Sequence, residues 1–246
     1  MIACKNGVVE DLVFLVTGAS GGIGAATARL AAEKGYRLVL ASRDATRLEI
    51  LARELGGPER VLATPCDVTD WAQVRALAVR VEQVFGRLDV AFANAGQFAE
   101  TPMLDADADV DAAVDGWRDM ILTNIFGTVI TARALWPLLA KARGHLVLTG
   151  SVAGRVTVPG SVYSATKWAV TGMGQSIRAA AVGTGVRVSV VQPGLVDAGP
   201  VPPHRWNDPK LEPADVARVV LFVVSQPPGV DVGEIVVRPT GQHPAR

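Results

Sequence analysis

The sequence predicts an α/β protein with a doubly wound, open sheet of seven parallel strands and helices on both faces. Apolar runs of strand length alternate with amphipathic segments of helix length along the chain. The strand runs are nearly continuous in Val, Ile, Leu and Ala, which is typical of parallel strands buried on both faces. Strict alternation of strand and helix favours the doubly wound arrangement. Because no linker, repeat or low-complexity block interrupts the sequence, we predict one domain over residues 1–246.

Each element is justified by its composition and its caps. The expected strands are Leu12–Thr17, Arg37–Ala41, Val61–Cys66, Leu88–Ala93, His145–Thr149, Val186–Val191 and Ile235–Val237. The expected helices are Gly22–Lys34, Ala45–Leu55, Trp71–Phe85, Trp117–Lys141, Ser161–Val182 and Ala214–Ser225. Asp44 and Asp70 are of the type that favours a helix N-cap, while Gly35 and Gly86 favour a helix end. The Pro-rich stretch Pro200–Pro213 is predicted to be a loop.

The composition excludes several function classes. Lys plus Arg and Asp plus Glu each number 24, so the net charge is zero, which argues against a nucleic-acid or anionic-membrane binder. Two cysteines, Cys4 and Cys66, are too few for a disulfide framework. His145, His204 and His243 lack metal-ligand spacing, so we expect no metal. Without a signal-peptide pattern or an apolar run of ~18 residues, we expect a cytoplasmic protein.

A glycine-rich turn follows the first predicted strand and opens the first predicted helix. It reads Thr17-Gly18-Ala19-Ser20-Gly21-Gly22-Ile23-Gly24. In a doubly wound sheet, the pyrophosphate of a dinucleotide lies here, against the free amides of the helix N-terminus. Gly18 permits the sharp turn, Gly22 lets the backbone approach the phosphates, and Gly24 lets helix and strand pack closely. The turn predicts a dinucleotide site. The alternative is a tight βα connection that binds no ligand. It is not a P-loop, because no Gly-Lys-Ser/Thr follows.

The end of the second predicted strand bears on the choice between NAD(H) and NADP(H). An acidic side chain there binds a free ribose 2′-hydroxyl, whereas an arginine accommodates a 2′-phosphate. The sequence places Ser42 and Arg43 at this point. A guanidinium group can donate two parallel hydrogen bonds to a phosphate. Asp44 fits better as a helix N-cap. We predict that NADP(H) is preferred and NAD(H) possible. The alternatives are that Asp44 binds the ribose or that Arg43 is a solvated surface residue.

Tyr163 and Lys167 are four residues apart at the start of a predicted helix, and therefore share one face. A phenol is a poor base at neutral pH, and a neighbouring ammonium lowers its pKa. Ser151 follows the fifth strand, twelve residues before Tyr163, at the sheet edge where ligands bind in this architecture. The Tyr–Lys spacing alone is common on helix surfaces. Together with Ser151 it indicates acid–base chemistry at an alcohol or ketone.

Taken together and in this order, these motifs resemble the short-chain dehydrogenase/reductase family in its single-domain form, over nearly the whole chain. The matching residues are Gly18, Gly22, Ile23, Gly24, Asp67, Val68, Asn94, Ala95, Gly96, Asn124, Ser151, Tyr163, Lys167, Pro193 and Gly194. The resemblance implies a Rossmann fold and an NAD(P)-dependent oxidoreductase that acts on a secondary alcohol or ketone. It also implies a homotetramer or homodimer.

The resemblance further implies a role for each matching residue. Tyr163 would be the general acid/base, and Lys167 would lower its pKa and hold the nicotinamide ribose. Ser151 would hydrogen-bond the substrate oxygen, and Asn124 would hold a water that links Lys167 to solvent. The expected cofactor contacts are Gly18, Ser20, Gly22, Ile23, Gly24, Ser42, Arg43, Asp67, Val68, Asn94, Ala95, Gly96, Tyr163, Lys167, Pro193, Gly194 and Val196.

The sequence departs from the family pattern at four points. Ala93 stands where the family usually has the first of two asparagines, and Gly21 stands where many NADP-preferring members carry a basic residue. Ala198 replaces a threonine whose hydroxyl would touch the nicotinamide carboxamide. The segment between Ser151 and Tyr163 is one residue shorter than is common. The departures at Ala93 and in the segment before Tyr163 are tolerable, whereas Gly21 bears on the cofactor preference and Ala198 on the nicotinamide contacts.

Two rival functions differ in what they require. A serine hydrolase would use Ser151 with His243 and would need no dinucleotide. A dinucleotide sensor without catalysis would be expected to lose Tyr163 or Lys167, yet both are present. Whether His204 and Trp206 in the Pro-rich loop touch substrate stays open.

The long predicted helix Trp117–Lys141 carries apolar residues on more than one face. One stripe is Ile121, Ile125 and Val129, and a neighbouring stripe is Leu122, Phe126 and Ile130. A single face cannot bury all six against the sheet, so we predict that this helix and the helix Ser161–Val182 pack between subunits across a two-fold axis.

Overall fold

The structure, a computed structural model, describes residues 11–99, 101–105, 109–199, 201 and 205–242. Over these residues one sheet is formed by β1 (Val13–Thr17), β2 (Arg37–Ser42), β3 (Val61–Pro65), β4 (Val90–Ala93), β5 (His145–Thr149), β6 (Arg187–Pro193) and β7 (Glu234–Val237). All neighbouring strands are parallel, in the order β3-β2-β1-β4-β5-β6-β7. The doubly wound, seven-stranded parallel sheet is therefore confirmed.

Helices cover both faces of this sheet. They are α1 (Gly22–Glu33), α2 (Ala45–Glu54), α3 (Trp71–Phe85), α4 (Val110–Ile121), α5 (Thr128–Ala142), α6 (Val162–Ala180) and α7 (Pro213–Val224). A π-helical turn, Leu122–Gly127, joins α4 to α5, and a 3₁₀ turn, Val152–Gly154, follows β5. The core has two layers: α1, α2 and α7 pack on one face of the sheet, and α3, α5 and α6 on the other.

Strand β1 shows why the strands are continuously apolar. Val13 and Leu15 belong to one core layer, Phe14 and Val16 belong to the other, and all four are fully buried. Successive side chains of a strand point to opposite faces, so a sheet covered on both faces needs apolar residues at every position.

The predicted helix caps are present where the sequence placed them. The Asp44 carboxylate accepts a hydrogen bond from the Arg47 amide at 2.9 Å, and that of Asp70 accepts from the Ala72 amide at 2.8 Å. Gly86 ends α3 in the left-handed region at φ 67°. These caps satisfy amides that a helix N-terminus leaves unpaired.

The prediction for the long helix was wrong at its start. Helix α4 begins at Val110 rather than at Trp117, because the Asp109 side chain caps it by accepting from the Ala112 amide. Residues 110–116, which precede the expected start, form the mostly exposed first turns of the helix. The π-helical turn in mid-helix was not predicted.

The continuous helical run Val110–Ala142 meets the length and composition of a membrane span, with a mean hydropathy of 1.2 over its most apolar window. Half of that window is buried inside the fold. We interpret the run as a helix of the domain core, which passes the same compositional test.

Candidate active site

A cleft of about 1020 Å³ runs along the carboxyl edge of the sheet. The strand order reverses between β1 and β4, and this is the point at which open α/β sheets bind ligands. The expected site residues that line the cleft are Gly18, Ser20, Gly22, Ile23, Ser42, Arg43, Asp67, Val68, Asn94, Ala95, Gly96, Ser151, Tyr163, Lys167, Pro193, Gly194 and Val196. Gly24 and Asn124 lie behind its wall.

The glycine-rich turn forms a cradle at the end of β1. Gly18 and Gly22 have φ of +66° and +51°, in the left-handed region that favours glycine. A Cβ on Gly18 would lie 2.9 Å from the Cα of Ala95, and a Cβ on Gly24 would overlap with the Gly18 carbonyl oxygen. No side chain caps α1, so the amides of its first turn are left for another partner. The cradle fits an anionic group such as a pyrophosphate.

Two arginines line the cleft beyond the end of β2. Asp44 accepts from the backbone amide of Arg47, and its second oxygen lies 3.3 Å from the Arg47 Nε. The Asp44 carboxylate is therefore occupied by the cap and the ion pair, as the N-cap prediction requires. Arg43 is exposed at the same rim. Sequence analysis missed Arg47, although its place in the first turn of α2 was a signal.

Asn94 connects the ends of three strands behind the cleft. Its backbone amide donates to the Thr17 hydroxyl at 3.0 Å, and its side-chain Nδ2 donates to the Thr17 carbonyl at 3.0 Å. The Thr149 hydroxyl donates to its Oδ1 at 3.2 Å. Asn94 thus fixes the carboxyl ends of β1, β4 and β5 relative to one another.

Asp67 and Val68 form the cleft wall after β3. Asp67 Oδ1 accepts from the amide and the hydroxyl of Thr69, at 2.9 and 2.8 Å, which closes a tight turn. Val68 is buried against the π-helical turn, where a Cβ on Gly127 would lie 2.9 Å from its Cγ2. Both residues line the cleft, and their contact with the adenine stays a prediction.

Ser151 and Tyr163 meet in the cleft. Ser151 directly follows the β5 edge, and its Oγ accepts from the Ala153 amide at 3.2 Å. Tyr163 lies in the first turn of α6, which Ser161 caps by accepting from the Ser164 amide at 3.1 Å. The Ser151 hydroxyl lies beside the phenol, where it opposes a rise in the pKa of Tyr163. The ring of Phe98 contacts the Tyr163 ring edge-on, with centroids 5.1 Å apart.

Lys167 lies one turn after Tyr163 and faces the same cleft. Its Nζ donates to the Thr149 carbonyl at 2.9 Å and is 5.6 Å from the centroid of the Tyr163 ring. Burial lowers the pKa of Lys167 to about 8. Burial also raises the pKa of Tyr163 above its usual value, and the Ser151 hydrogen bond opposes that rise. Desolvation is thus the largest influence on the pKa of Tyr163, and the lowering by Lys167 stays a prediction.

Asn124 is fully buried in the π-helical turn. Its Oδ1 accepts from the Gln97 amide at 2.8 Å, and its Nδ2 donates to the Gln97 carbonyl at 2.9 Å and to the Thr166 hydroxyl at 3.1 Å. A Cβ on Gly96 would lie 3.3 Å from Asn124 Oδ1 and 3.8 Å from Lys167 Nζ. Asn124 is thus beside Lys167 but orders the backbone after β4. The water relay stays a prediction.

The segment after β6 closes the other side of the cleft. The Gly194 amide donates to the Val237 carbonyl at 2.7 Å, and Val196 forms a parallel bridge with Leu211. A Cβ on Gly22 would lie 3.1 Å from the Ala198 Cβ, so this segment reaches the glycine-rich turn. Pro193, Gly194 and Val196 therefore border the cleft as predicted.

Sequence analysis missed several residues of the substrate side. Gln97, Phe98 and Arg205 line the cleft. The Arg205 Nε donates to Asp208 at 2.9 Å, while its Nη2 is buried without a hydrogen-bond partner among the described residues. Trp206 is 64% exposed and donates its indole N–H to the Val201 carbonyl. Cys4, Pro200, Pro202, Pro203, His204 and His243 lie outside the described residues.

The part of the chain that the structure describes gives the serine-hydrolase hypothesis no histidine beside Ser151. His145 begins β5, whereas Ser151 follows its other end, and His243 lies outside the described ranges. Within those ranges, no group of three His, Cys, Asp or Glu side chains is arranged to hold a metal ion.

The comparisons with known proteins agree with this geometry. The short chain dehydrogenase family model matches residues 12–206. An uncharacterised oxidoreductase of Staphylococcus aureus (strain USA300) is 40% identical over 94% of this chain and 99% of its own length.

Two solved structures share the fold. An alcohol dehydrogenase from the archaeon Thermococcus sibiricus, complexed with 5-hydroxy-NADP, has a TM-score of 0.83 and 30% identity, over 94% of this chain and 98% of that chain. A serine dehydrogenase complexed with NADP⁺ has a TM-score of 0.84 and 29% identity, over 94% and 96%. The family model spans most of the chain, and one cleft contains both the glycine-rich turn and the expected serine, tyrosine and lysine. This chain therefore belongs to the short-chain dehydrogenase family of oxidoreductases.

Proposed function

We propose that the chain is an NADP(H)-dependent ketoreductase or alcohol dehydrogenase, which interconverts ketones and secondary alcohols by hydride transfer. The observation that carries the proposal is the convergence of Ser151, Tyr163 and Lys167 on the cleft that also contains the glycine-rich turn. A nicotinamide, when bound, supplies or accepts the hydride. The residues of the chain then have to bind the cofactor, orient the substrate oxygen and move one proton.

Tyr163 is the proposed general acid/base. Its phenol gives a proton to the substrate oxygen in reduction and takes one in oxidation, while the Ser151 hydroxyl holds that oxygen. Lys167, with a pKa of about 8, carries its charge at neutral pH, and we assign the ribose hydroxyls to it. Groups of this kind contribute about 10²–10⁴-fold to a rate.

The preference for NADP(H) is proposed from the rim beyond β2. Arg43 and Arg47 offer two guanidinium groups there, and the Asp44 carboxylate is already occupied. A free carboxylate would favour NAD(H), whereas guanidinium groups favour a 2′-phosphate. The NADP named in both structural neighbours supports the same preference.

We propose that the substrate carries a carboxylate near the carbonyl. Arg205 lines the cleft with a buried, unpartnered Nη2, and an unpaired buried donor costs about 1–3 kcal/mol. An anionic oxygen of the substrate would satisfy it. The serine dehydrogenase among the neighbours is named for a substrate that has a carboxylate.

The non-catalytic sensor is the second candidate, and the structure does not favour it. A sensor needs the glycine-rich turn, but it does not need Ser151 hydrogen-bonded to Tyr163 with Lys167 one turn away. We propose further that the protein is a cytoplasmic homotetramer or homodimer without nucleic-acid or membrane partners. The zero net charge and the exposed apolar side chains of Ile121, Leu122, Phe126 and Val129 support this.

A spectrophotometric panel tests the proposal. Ketones, keto acids and the matching keto esters are offered with NADPH or NADH, and the absorbance at the nicotinamide band is followed. We expect turnover with NADPH, and a higher kcat/KM for keto acids than for their esters. Dinucleotide binding without turnover of any carbonyl compound or alcohol would favour the sensor. Equal kcat/KM for acid and ester would remove the role of Arg205 only.

A further inference from the structure

Gln192 lies between the two elements that carry the proposed catalytic residues. It is fully buried near the end of β6. Its Oε1 accepts from the Ser151 amide at 2.8 Å, and its Nε2 donates to the Thr171 hydroxyl on α6 at 2.9 Å. Thr171 lies one turn after Lys167, to whose carbonyl it donates at 3.1 Å. One side chain therefore connects the Ser151 turn to the helix of Tyr163.

Two glycines allow the close packing around Gln192. A Cβ on Gly150 would overlap with the Gln192 amide oxygen. On the other side, a Cβ on Gly154 would lie 2.5 Å from the Lys167 carbonyl oxygen. The two glycines that flank the Ser151 turn thus allow it to approach both Gln192 and α6 at backbone distance.

The orientation of the Gln192 amide is set by a charge. Its Nε2 also donates to Glu234 Oε1 at 3.1 Å, and an ionised carboxylate can only accept. The amide nitrogen must therefore face Glu234, which leaves the oxygen for Ser151. Glu234 forms a bidentate ion pair with Arg155. Arg155 follows the 3₁₀ turn and leads into the segment whose Val156 and Val158 line the cleft.

We propose that Gln192, oriented by Glu234 and Arg155, is a positioning residue that holds the Ser151 hydroxyl in hydrogen-bonding reach of the Tyr163 phenol. It touches neither substrate nor cofactor in this assignment. The inference rests on the proposed function for its kinetic consequence, but the geometry it asserts can be tested without turnover.

The phenol itself reports on this geometry. The Ser151 hydrogen bond lowers the pKa of Tyr163 against the effect of burial, so loosening Ser151 raises that pKa. Among the described residues, the charged group beside the phenol is Lys167 on its own helix, and Ser151 and Phe98 face it from the other elements. The chain has two tyrosines, Tyr36 and Tyr163. The Tyr163→Phe variant therefore shows which tyrosine NMR signal belongs to Tyr163.

The first experiment titrates ¹³Cζ-labelled tyrosine by NMR in the full-length protein. We expect Gln192→Met and Glu234→Gln each to raise the pKa of Tyr163, in the direction given by Ser151→Ala. In the Ser151→Ala background, Gln192→Met should add no further shift. Glu234→Gln acts because the new side-chain amide can donate a hydrogen bond to Gln192. The Gln192 amide can then flip and lose its hydrogen bond from the Ser151 amide. If Gln192→Met does not fold, the Tyr163 titration in Glu234→Gln still tests the proposal.

Arg218→Gln is the matched control, since it removes an exposed ion pair with Asp215 on α7. It should leave the Tyr163 titration unchanged. A wild-type pKa in folded Glu234→Gln, or an equal shift from Gln192→Met with and without Ser151, would overturn the proposal.

The second experiment separates kcat from binding. We expect Glu234→Gln to lower kcat by roughly ten- to a hundredfold, as small misplacements of reacting groups do, with the NADPH dissociation constant unchanged. Loss of cofactor affinity in step with kcat would indicate general loosening and contradict a positioning role. If the wild type turns over no substrate, the proposed function fails while the tyrosine titration still tests the positioning.

Discussion

At the residue scale, the proposed chemistry depends on three side chains that the sequence identified and on surroundings that it did not. Ser151, Tyr163 and Lys167 were found from a strand end and a helical spacing. The direction of the Tyr163 pKa was not, because desolvation is a property of the packed cleft, in which Phe98 covers the ring. The expected lowering by Lys167 considered only one of the competing effects.

The first residue-scale prediction concerns the proton. Tyr163→Phe should leave the fold and NADPH binding nearly intact, because the ring still packs against Phe98. Turnover should fall by about 10²–10⁴-fold, since the proton donor is gone. Steady-state kinetics with fluorescence titration of NADPH measures both. Retention of most activity on every substrate would contradict the proposed mechanism.

The second concerns the 2′-phosphate. Arg43→Ala should weaken the binding of NADPH by about ten- to a hundredfold, because one charge-assisted contact is worth roughly 1.5–3 kcal/mol. The binding of NADH should change little, because NADH has no 2′-phosphate. Arg47→Ala should act in the same direction. Arg80→Ala, at an exposed position of α3, is the control that should change neither. Equal losses for both cofactors in calorimetric titration would point back to Asp44 as a ribose ligand.

At the element scale, the described residues of the loop between β6 and α7 border one side of the cleft. It was expected to be irregular because of its prolines, and Pro213 proves to be the first residue of α7, where a missing amide costs nothing. The described part is tied down by the Val196–Leu211 bridge and by the Leu195 amide donating to Gln242 Oε1 at 3.2 Å. Those tertiary contacts are not visible in the local sequence.

The element-scale prediction is an open substrate side. Proline fixes φ and removes an amide donor, so a long lid helix is not expected over this stretch. We therefore expect aryl and bicyclic ketones to be reduced with a higher kcat/KM than ketones of acetone size. A kinetic series of ketones of increasing size measures this. A steep preference for the smallest members would show that the pocket is closed, for instance by a neighbouring subunit.

At the scale of the whole molecule, one helix face is exposed and is not covered by any other part of the chain that the structure describes. Ile121, Leu122, Phe126 and Val129 are each about two-fifths exposed on the α4–α5 run, whereas Ile130 is buried in the core. Of the six residues in the two predicted stripes, four are thus exposed, Ile125 is partly buried and Ile130 is buried. An apolar face of this kind is typical of a subunit interface.

We predict a homotetramer or homodimer that uses this face. Light scattering at micromolar concentration should give particles that are a multiple of 25.8 kDa. Phe126→Asp should shift the distribution to the single-chain mass, because it places a charge in the buried interface. Val79→Asp, on α3 and similarly exposed at 48%, should not. Particles of ~26 kDa alone in the wild type would dispose of this prediction.

Acid stability is also a whole-molecule property. His145 donates through Nε2 to Ser189 Oγ at 2.7 Å, and its Nδ1 is buried without a partner. Burial, together with the charge of Arg187, lowers the pKa of His145 from 6.5 to about 3. The unfolded chain therefore binds one more proton than the folded chain between those values. This contribution to stability is full above pH 6.5 and is lost as the pH falls toward 3.

The measurement is urea denaturation at pH 7.5 and pH 5. The free energy of unfolding of the wild type should fall by up to about 1.4 kcal/mol per pH unit from this group, in addition to any carboxylate effects. His145→Gln, which cannot titrate, should show a smaller fall over the same range. The same pH dependence in both proteins would show that another group is responsible.

The sequence by itself determined the sheet, because a strand buried on both faces must be apolar throughout and because caps such as Asp44, Asp70 and Gly86 act within a few residues. It also located the glycine-rich turn, Arg43 and the serine, tyrosine and lysine, since each depends on local spacing beside a strand end.

Only the tertiary structure decided what comes from distant parts of the chain. Gln192 and Glu234 reach the Ser151 turn across β6 and β7, Arg205 reaches the cleft from a loop, and Asn124 is placed by a π-helical turn. The pKa of Tyr163 likewise depends on burial by elements far apart in sequence. Such contacts leave no local periodicity, and their physical origin is packing in three dimensions.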